Sequence, residues 1–322
     1  MKVIDSHVHL YSGENALDLS WMTSESPLCG DHQVVQYAET VKNSGYEVEG
    51  LVFIEVDVKY SPDWRYAVKE YEYVVDQFSS AKEFKTFGLI PWAPMNEGVE
   101  SLTQFVEKLK VSKGELAFNR YCKGFRYLVQ DKPSETMLKR PFIESLNWLC
   151  DKGFVFDLGI DLRCGGLWQF EEAIAMCKQT KCRLIINHLT KPDYHDMVID
   201  QDRFDKWKHL MYEIRQHSDS YMKVSGGFSE LSPALSASIK AGKFEVDEVV
   251  DLINPWFKTC LNLWGPERMI WGSDYPVCTI NGGDVAVTRW LEITEKLFDR
   301  NGLTPEQKQA IYFDNVLKAY NL

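Results

Sequence analysis

Eight short apolar runs divide the chain, and stretches of helical period separate them. The runs are KVIDSHV (2–8), GLVFIEV (50–56), KTFGLIP (85–91), KGFRYLV (123–129), FVFDLGI (154–160), RLIINHL (183–189), YMKVSGG (221–227) and RMIWGSD (268–274). Each reads as a strand. Between them HQVVQYAETVKNSG, VESLTQFVEKLKV, FIESLNWLCDKG, FEEAIAMCKQTK and FDKWKHLMYEIRQH place apolar residues at three-to-four spacing, as amphipathic helices do. Alternating strands and helices require a parallel sheet with crossover connections. Eight such units make an α/β fold of the (β/α)8, TIM-like barrel type. The competing doubly wound open sheet is disfavoured, because no GxGxxG or GxxxxGK[ST] follows any run. Segments 16–31 and 228–244 are irregular and are read as active-site loops. TPEQKQAIYFDNVLKAY (304–320) opens on a Thr cap and a Pro and reads as one terminal helix. Without a repeat, a low-complexity run or a linker, residues 1–322 are expected to form one barrel domain.

Composition narrows the partners. The chain carries 47 acidic and 36 basic residues, a net charge of -11, which argues against nucleic acid or an anionic membrane as partner. Its eight cysteines include no CxxC pair and fall mostly in apolar stretches, as free thiols of a reducing compartment do. No signal peptide is visible, and no apolar run approaches the roughly 20 residues that cross a bilayer. A cytoplasmic enzyme with a small-molecule substrate is expected. Barrels of this kind often pair, so a homodimer stands beside the monomer.

In a parallel barrel the chemistry sits at the C-terminal ends of the strands. The first run ends in His7 and His9, the second holds Glu55, the fourth Arg126, the sixth His188, the seventh Lys223 and the eighth Asp274. Residues two apart on a strand face the same way, so His7 and His9 converge on one point. Two imidazoles so placed are expected to hold a metal ion or act in catalysis. The alternative is one core and one exposed histidine. Asp274 in MIWGSDYPV is read as a general base or metal ligand, against a helix cap. His188 in LIINHLTKP has a similar setting. Glu55, set among Val, Ile and Phe, needs a cation, and a metal is preferred to a buried pair with Arg126 or Lys223. Arg126 either grips a substrate carbonyl or balances Glu55 or Asp157. Lys191 and Lys223 are weaker substrate contacts. Trp21, Trp92 and Trp168 lie near strand-following loops, where they stack on a sugar ring or serve as packing. His32, His195, His209 and His217 are expected on the surface.

IDSHVHL, KGFRYLVQDKP, INHLTKP, KVSGG and WGSDYPV, in this order, resemble the amidohydrolase-2 branch of the amidohydrolase superfamily. LSWMTSESPLCGDHQVVQY, FIEVDV, PWAP and FDLGIDLRCGGLWQFEEA resemble, within that branch, the fungal L-rhamnono-1,4-lactonases. The resemblance implies a distorted (β/α)8 barrel that hydrolyses a sugar γ-lactone to the open aldonic acid in L-rhamnose catabolism. It places His7 and His9 on the family's HxH, and His188, Asp274 and Arg126 on its His, Asp and Arg. The carbamylated-lysine, two-metal pattern is missing, so one divalent ion is expected. Its expected ligands are His7, His9, Glu55 and Asp274, with zinc ahead of manganese or calcium. In that scheme Asp274 moves a proton, while His188 and Arg126 stabilise the oxyanion. The alternatives are a metal-dependent decarboxylase of an unsaturated or aromatic acid, a lactonase for L-fucono- or L-galactono-lactone, an amidase, and a non-catalytic ligand-binding barrel.

Overall fold

The computed structural model describes residues 1–194, 199–243 and 245–322. Among them eight strands stand in a ring in chain order: β1 (Lys2–Val8), β2 (Glu47–Ile54), β3 (Thr86–Ile90), β4 (Gly124–Arg126), β5 (Val155–Leu158), β6 (Leu184–Ile186), β7 (Ser220–Val224) and β8 (Met269–Trp271). The strands run parallel, with β1 to β3 in one ladder and β4 to β8 in another. Two narrow seams close the ring. Across the first, Arg126 N donates to Pro91 O and Ala93 N to Arg126 O, both at 3.0 Å. Across the second, Asp274 N donates to His7 O at 2.9 Å and His9 N to Tyr275 O at 2.7 Å. Each of the eight apolar runs supplies one of these strands, and the barrel is the observed architecture.

The outer layer contains Val34–Val41, Arg65–Ser80, Val99–Lys113, Arg140–Asp151, Trp168–Cys177, Gln201–His217, Val246–Trp264 and Ala286–Arg300. Five of these are the amphipathic stretches read from sequence. The loop 228–244 differs from expectation, since Pro233–Lys240 inside it is helical, started by the Ser232 cap. The tail is helical from Pro305 to Tyr320, but residues Ala310–Asp314 form one widened turn in its middle. Among the described residues no helix is long and apolar enough to cross a membrane.

Two apolar layers hold the fold. The larger lies between strands and helices, and the smaller fills the barrel interior. Ile4, Ile90, Val155, Ile185 and Ile270 form that inner layer together with Val316, Ala319 and Tyr320 of the tail. The tail therefore plugs the end of the barrel opposite the C-terminal strand ends. Asn315 Nδ2 anchors it by donating to Pro266 O (2.8 Å) and Met269 O (2.9 Å).

Candidate active site

Register explains how β1 delivers its histidines. Ile4 packs inside the barrel, and Asp5 faces Tyr37 of the outer layer. Strict alternation would turn His7 outward too. The β1–β2 ladder shifts register between Asp5 and Val8, and His7 meets Lys223 instead. An irregularity of this kind re-aims a side chain. Asp5 secures the seam, accepting from Ser273 N (2.9 Å), His7 N (3.1 Å) and Tyr37 Oη (2.8 Å). Burial nonetheless pushes its carboxyl up to about 6.

Three imidazoles converge on one carboxylate oxygen. Asp274 Oδ1 lies 3.6 Å from His7 Nε2, 3.5 Å from His9 Nε2 and 3.8 Å from His188 Nε2. Each ring is held from behind through Nδ1. His9 Nδ1 donates to Ile54 O (2.8 Å), His188 Nδ1 meets Ser225 Oγ (2.8 Å), and His7 Nδ1 meets Lys223 Nζ (3.1 Å). A ring that donates from Nδ1 presents its lone pair at Nε2. Ser229 Oγ donates to Asp274 Oδ2 at 2.5 Å. Burial pushes the Asp274 carboxyl up, but His188, His9 and Ser229 outweigh it and hold the group at about 2. Burial lowers His188 to about 3 and takes His7 well below its ordinary value. The site is thus an ionised carboxylate facing neutral His7 and His188.

The backbone is strained where it presents these groups. Asp274 has φ 66°, and residues 188 to 191 all have positive φ, from 49° to 66°. A left-handed non-glycine residue costs roughly 1–2 kcal/mol. Four in succession rival a sizeable part of the roughly 5–15 kcal/mol that holds a domain folded. Tertiary bonds offset this cost: Thr190 O accepts from Leu162 N (3.0 Å), and Trp207 Nε1 donates to Thr190 Oγ1 (2.8 Å). Gly226 makes room for His188, because a Cβ there would lie 2.6 Å from its Nδ1. Strain gathered at the strand ends marks a functional site.

Behind His7 runs a relay that sequence reading missed. Lys223 Nζ donates to Asp157 Oδ1 (2.7 Å), and Tyr320 Oη donates to Asp157 Oδ2 (2.8 Å). Both Lys223 and Asp157 are fully buried. Lys223, expected as a substrate contact, is placed behind His7 rather than in front of it. The missed signal was the two-residue spacing of Asp157 from Val155 and of Lys223 from Tyr221, which puts both charges on the inward face.

Glu55 and Arg126 meet on the other side of the mouth. Glu55 Oε1 lies 3.1 Å from Arg126 Nε, and its Oε2 accepts from Asp57 N at 2.6 Å. Both side chains are buried, and Arg126 Nη1 has no hydrogen-bond partner among the described residues. Glu70, from the helix Arg65–Ser80, adds a second buried carboxyl, whose Oε1 accepts from Val56 N (3.1 Å). Burial raises Glu55, against the pull of Arg126, and takes Glu70 well above the usual carboxylate range. A cavity of about 430 Å³ is walled in part by Asp57, Tyr60, Trp64, Trp92, Tyr127 and Lys132, the chain neighbours of Glu55 and Arg126 among them, but by neither of that pair. Of the three tryptophans singled out, only Trp92 lines it. Trp21 Nε1 donates to Val56 O (2.9 Å), and Trp168 opens the helix after β5. Lys191 Nζ faces Glu230 at 3.6 Å, and Glu230 also pairs with Arg163 at 2.6 Å.

Among the described residues, His7, His188 and Asp274 are the acidic and imidazole groups whose ligand atoms all lie within 4.8 Å of one another. His9 joins them through Asp274. Three imidazole nitrogens, that of His7 buried without a partner, and one carboxylate oxygen fit a single zinc-like ion. Glu55 stands apart from this set, in the buried pair weighed against metal binding. The bond from Lys223 is the one feature that opposes a metal, since an ammonium donating to Nδ1 leaves the His7 proton on Nε2. His32 is half-buried, its Nδ1 3.3 Å from Tyr275 Oη, and not a surface residue. His195 lies outside the described residues.

The amidohydrolase family profile matches residues 95–322. The chain belongs to the amidohydrolase family. The L-rhamnono-gamma-lactonase of Scheffersomyces stipitis is 37% identical to it, over 100% of this chain and 99% of that protein. An L-fucono-1,5-lactonase of Burkholderia ambifaria is 24% identical over 64% of each. A crystal structure of an amidohydrolase from Burkholderia multivorans with bound zinc superposes over the whole of both chains, with a TM-score of 0.77 at 17% identity. That likeness shows the same barrel fold.

Proposed function

We propose that this amidohydrolase hydrolyses a sugar-acid γ-lactone, L-rhamnono-1,4-lactone, to the open aldonic acid. The observation that carries the substrate is the full-length similarity to the L-rhamnono-gamma-lactonase. Convergence of His7, His9 and His188 on Asp274 supports the hydrolytic chemistry. These four residues would hold one divalent ion, zinc before manganese or calcium, which when bound polarises the lactone carbonyl as a Lewis acid.

The protein's own groups do the rest. Asp274 is ionised and takes a proton from the attacking water. Ser229 fixes the direction of that carboxylate. Arg126 Nη1 is buried without a partner and donates to the carbonyl oxygen as negative charge develops there. When the ring opens, Asp274 returns its proton to the departing alkoxide. Glu55 keeps the guanidinium in place. Trp92 and Tyr127 wall the neighbouring cavity with aromatic surface on which a sugar ring can stack.

The test is acid release in weak buffer from L-rhamnono-1,4-lactone and its L-mannono, L-fucono and L-galactono counterparts, before and after chelation. Acid release from the rhamnono and mannono lactones, abolished by chelator and restored by one divalent ion with about one ion per chain, is expected. No release from any lactone would overturn the reading, and carbon dioxide released from an aromatic acid would replace it with a decarboxylase.

A further inference from the structure

Asn187 is the buried polar residue at the mouth with the least to do. It is 1% exposed, and neither its Nδ2 nor its Oδ1 has a hydrogen-bond partner among the described residues. Its backbone is fully used, with Asn187 N donating to Leu158 O (3.0 Å) and Asn187 O accepting from Thr190 N (2.8 Å). Leaving a buried amide unpaired is destabilising, so a fold keeps one only for a reason. Gln130 Oε1 is likewise buried without a partner. Gln130 is fixed through its backbone oxygen, which accepts from Gln169 Nε2 (2.8 Å). Gln169 is fixed in turn by accepting from Asp161 N (2.9 Å).

The two amides meet over Gly159. A Cβ on Gly159 would stand 3.8 Å from Asn187 Nδ2, 3.8 Å from Gln130 Oε1 and 3.5 Å from Leu128 Cδ1. The position over Gly159 that would take one heavy atom is therefore in van der Waals contact with both a spare donor and a spare acceptor. Register places it at the mouth. Gly159 is two residues beyond Asp157, and Asn187 two beyond Ile185, which packs inside the barrel. Asn187 also directly precedes His188.

We infer that Asn187 and Gln130, over the bare Gly159, form a recognition subsite for one secondary hydroxyl of a polyhydroxylated lactone. A hydroxyl both donates and accepts, so it gives its proton to Gln130 Oε1 and takes one from Asn187 Nδ2. A methylene at that position leaves both amides unpaired. Sites of this design reject the analogue that lacks the hydroxyl. Both amides are positioning and specificity residues in the proposed lactonase reaction, on which this inference rests.

The experiment compares kcat/KM on L-rhamnono-1,4-lactone with kcat/KM on γ-butyrolactone, which has no hydroxyls. Wild type, Asn187→Ala and Gly159→Ala are measured, with melting temperatures. The ratio is expected to fall about tenfold in Asn187→Ala, mostly through KM. Gly159→Ala, whose methyl takes the hydroxyl's place, is expected to lower the ratio in the same direction while keeping Asn187. Equal losses on both lactones, or a change in melting temperature alone, would reduce the pair to a structural hydration site and overturn the inference. If wild type opens neither lactone, the lactonase reading fails by itself. Calorimetric titration with the intact rhamnonolactone then decides the subsite. Binding weakened about tenfold by Asn187→Ala sustains it, and equal binding or none overturns it.

Discussion

The two halves of the barrel mouth each bury a carboxylate, and they treat it in opposite ways. On the side of β1, β6 and β8, every imidazole is tethered at its rear nitrogen and points its Nε2 at its neighbours. His9 is tied to Ile54 O, His188 to Ser225 and His7 to Lys223, and their Nε2 atoms converge on Asp274. On the side of β2 and β4, opposite charges spend themselves on each other, Glu55 against Arg126. The difference teaches that burial alone does not distinguish a reactive carboxylate from a structural one. What distinguishes them is the partner. Asp274 accepts from the Ser229 hydroxyl and faces three imidazoles, whereas Glu55 faces a permanent cation.

The largest effect expected from this contrast is at Asp274. Asp274→Asn keeps the shape and the seam bond from Asp274 N to His7 O, but removes the proton acceptor. Loss of general acid–base catalysis is worth about 10²–10⁴-fold in rate. A drop in kcat of at least about 10³-fold is expected, with an unchanged circular dichroism spectrum. A variant retaining more than a tenth of wild-type kcat would remove Asp274 from the proton path and dissolve the contrast.

Glu55→Gln sharpens the comparison from the other side. It strips the counter-charge from a buried guanidinium, and breaking such a pair typically destabilises by about 3–5 kcal/mol. A lower melting temperature with full metal content is the expected result, measured by calorimetry and elemental analysis. If the variant instead loses its ion while keeping its stability, Glu55 is a ligand after all and the two halves are one site.

How much of this was visible in the sequence follows from which interactions are local. The strands were visible because each apolar run is bounded within about seven residues. His7, His9, His188 and Asp274 were visible because polar groups at apolar strand ends have few other purposes. The partition of the ligands was not visible. Whether Glu55 faces a metal or Arg126, 71 residues further along the chain, depends on a seam between β3 and β4. Lys223 was misplaced for a similar reason. Its partners, Asp157 and Tyr320, come from a strand and a terminal helix that only the closed barrel brings together. Ser225 and His188 are 37 residues apart in the chain, yet the fold brings them to 2.8 Å.

That last contact carries the smallest and most discriminating prediction. Ser225, His188 and Asp274 stand near one another, as in a hydrolytic triad, but the geometry is that of a metal ligand with its supporting shell. The serine sits on Nδ1, and the carboxylate lies 3.8 Å from Nε2, beyond hydrogen-bond length. Ser225 is 3% exposed, and Gly226 beside it exists to let the His188 ring pack close. A residue that only orients a metal-binding ring costs roughly 10–100-fold in metal affinity or activity when removed. Ser225→Ala is therefore expected to lower kcat/KM about tenfold and to raise the metal concentration for half-activation by a similar factor. Added metal should restore most of the activity. A nucleophile cannot be rescued in that way. A loss beyond about 10³-fold that metal fails to repair, or a covalent acyl adduct on Ser225 seen by mass spectrometry in the wild type, would transfer the chemistry from water to Ser225.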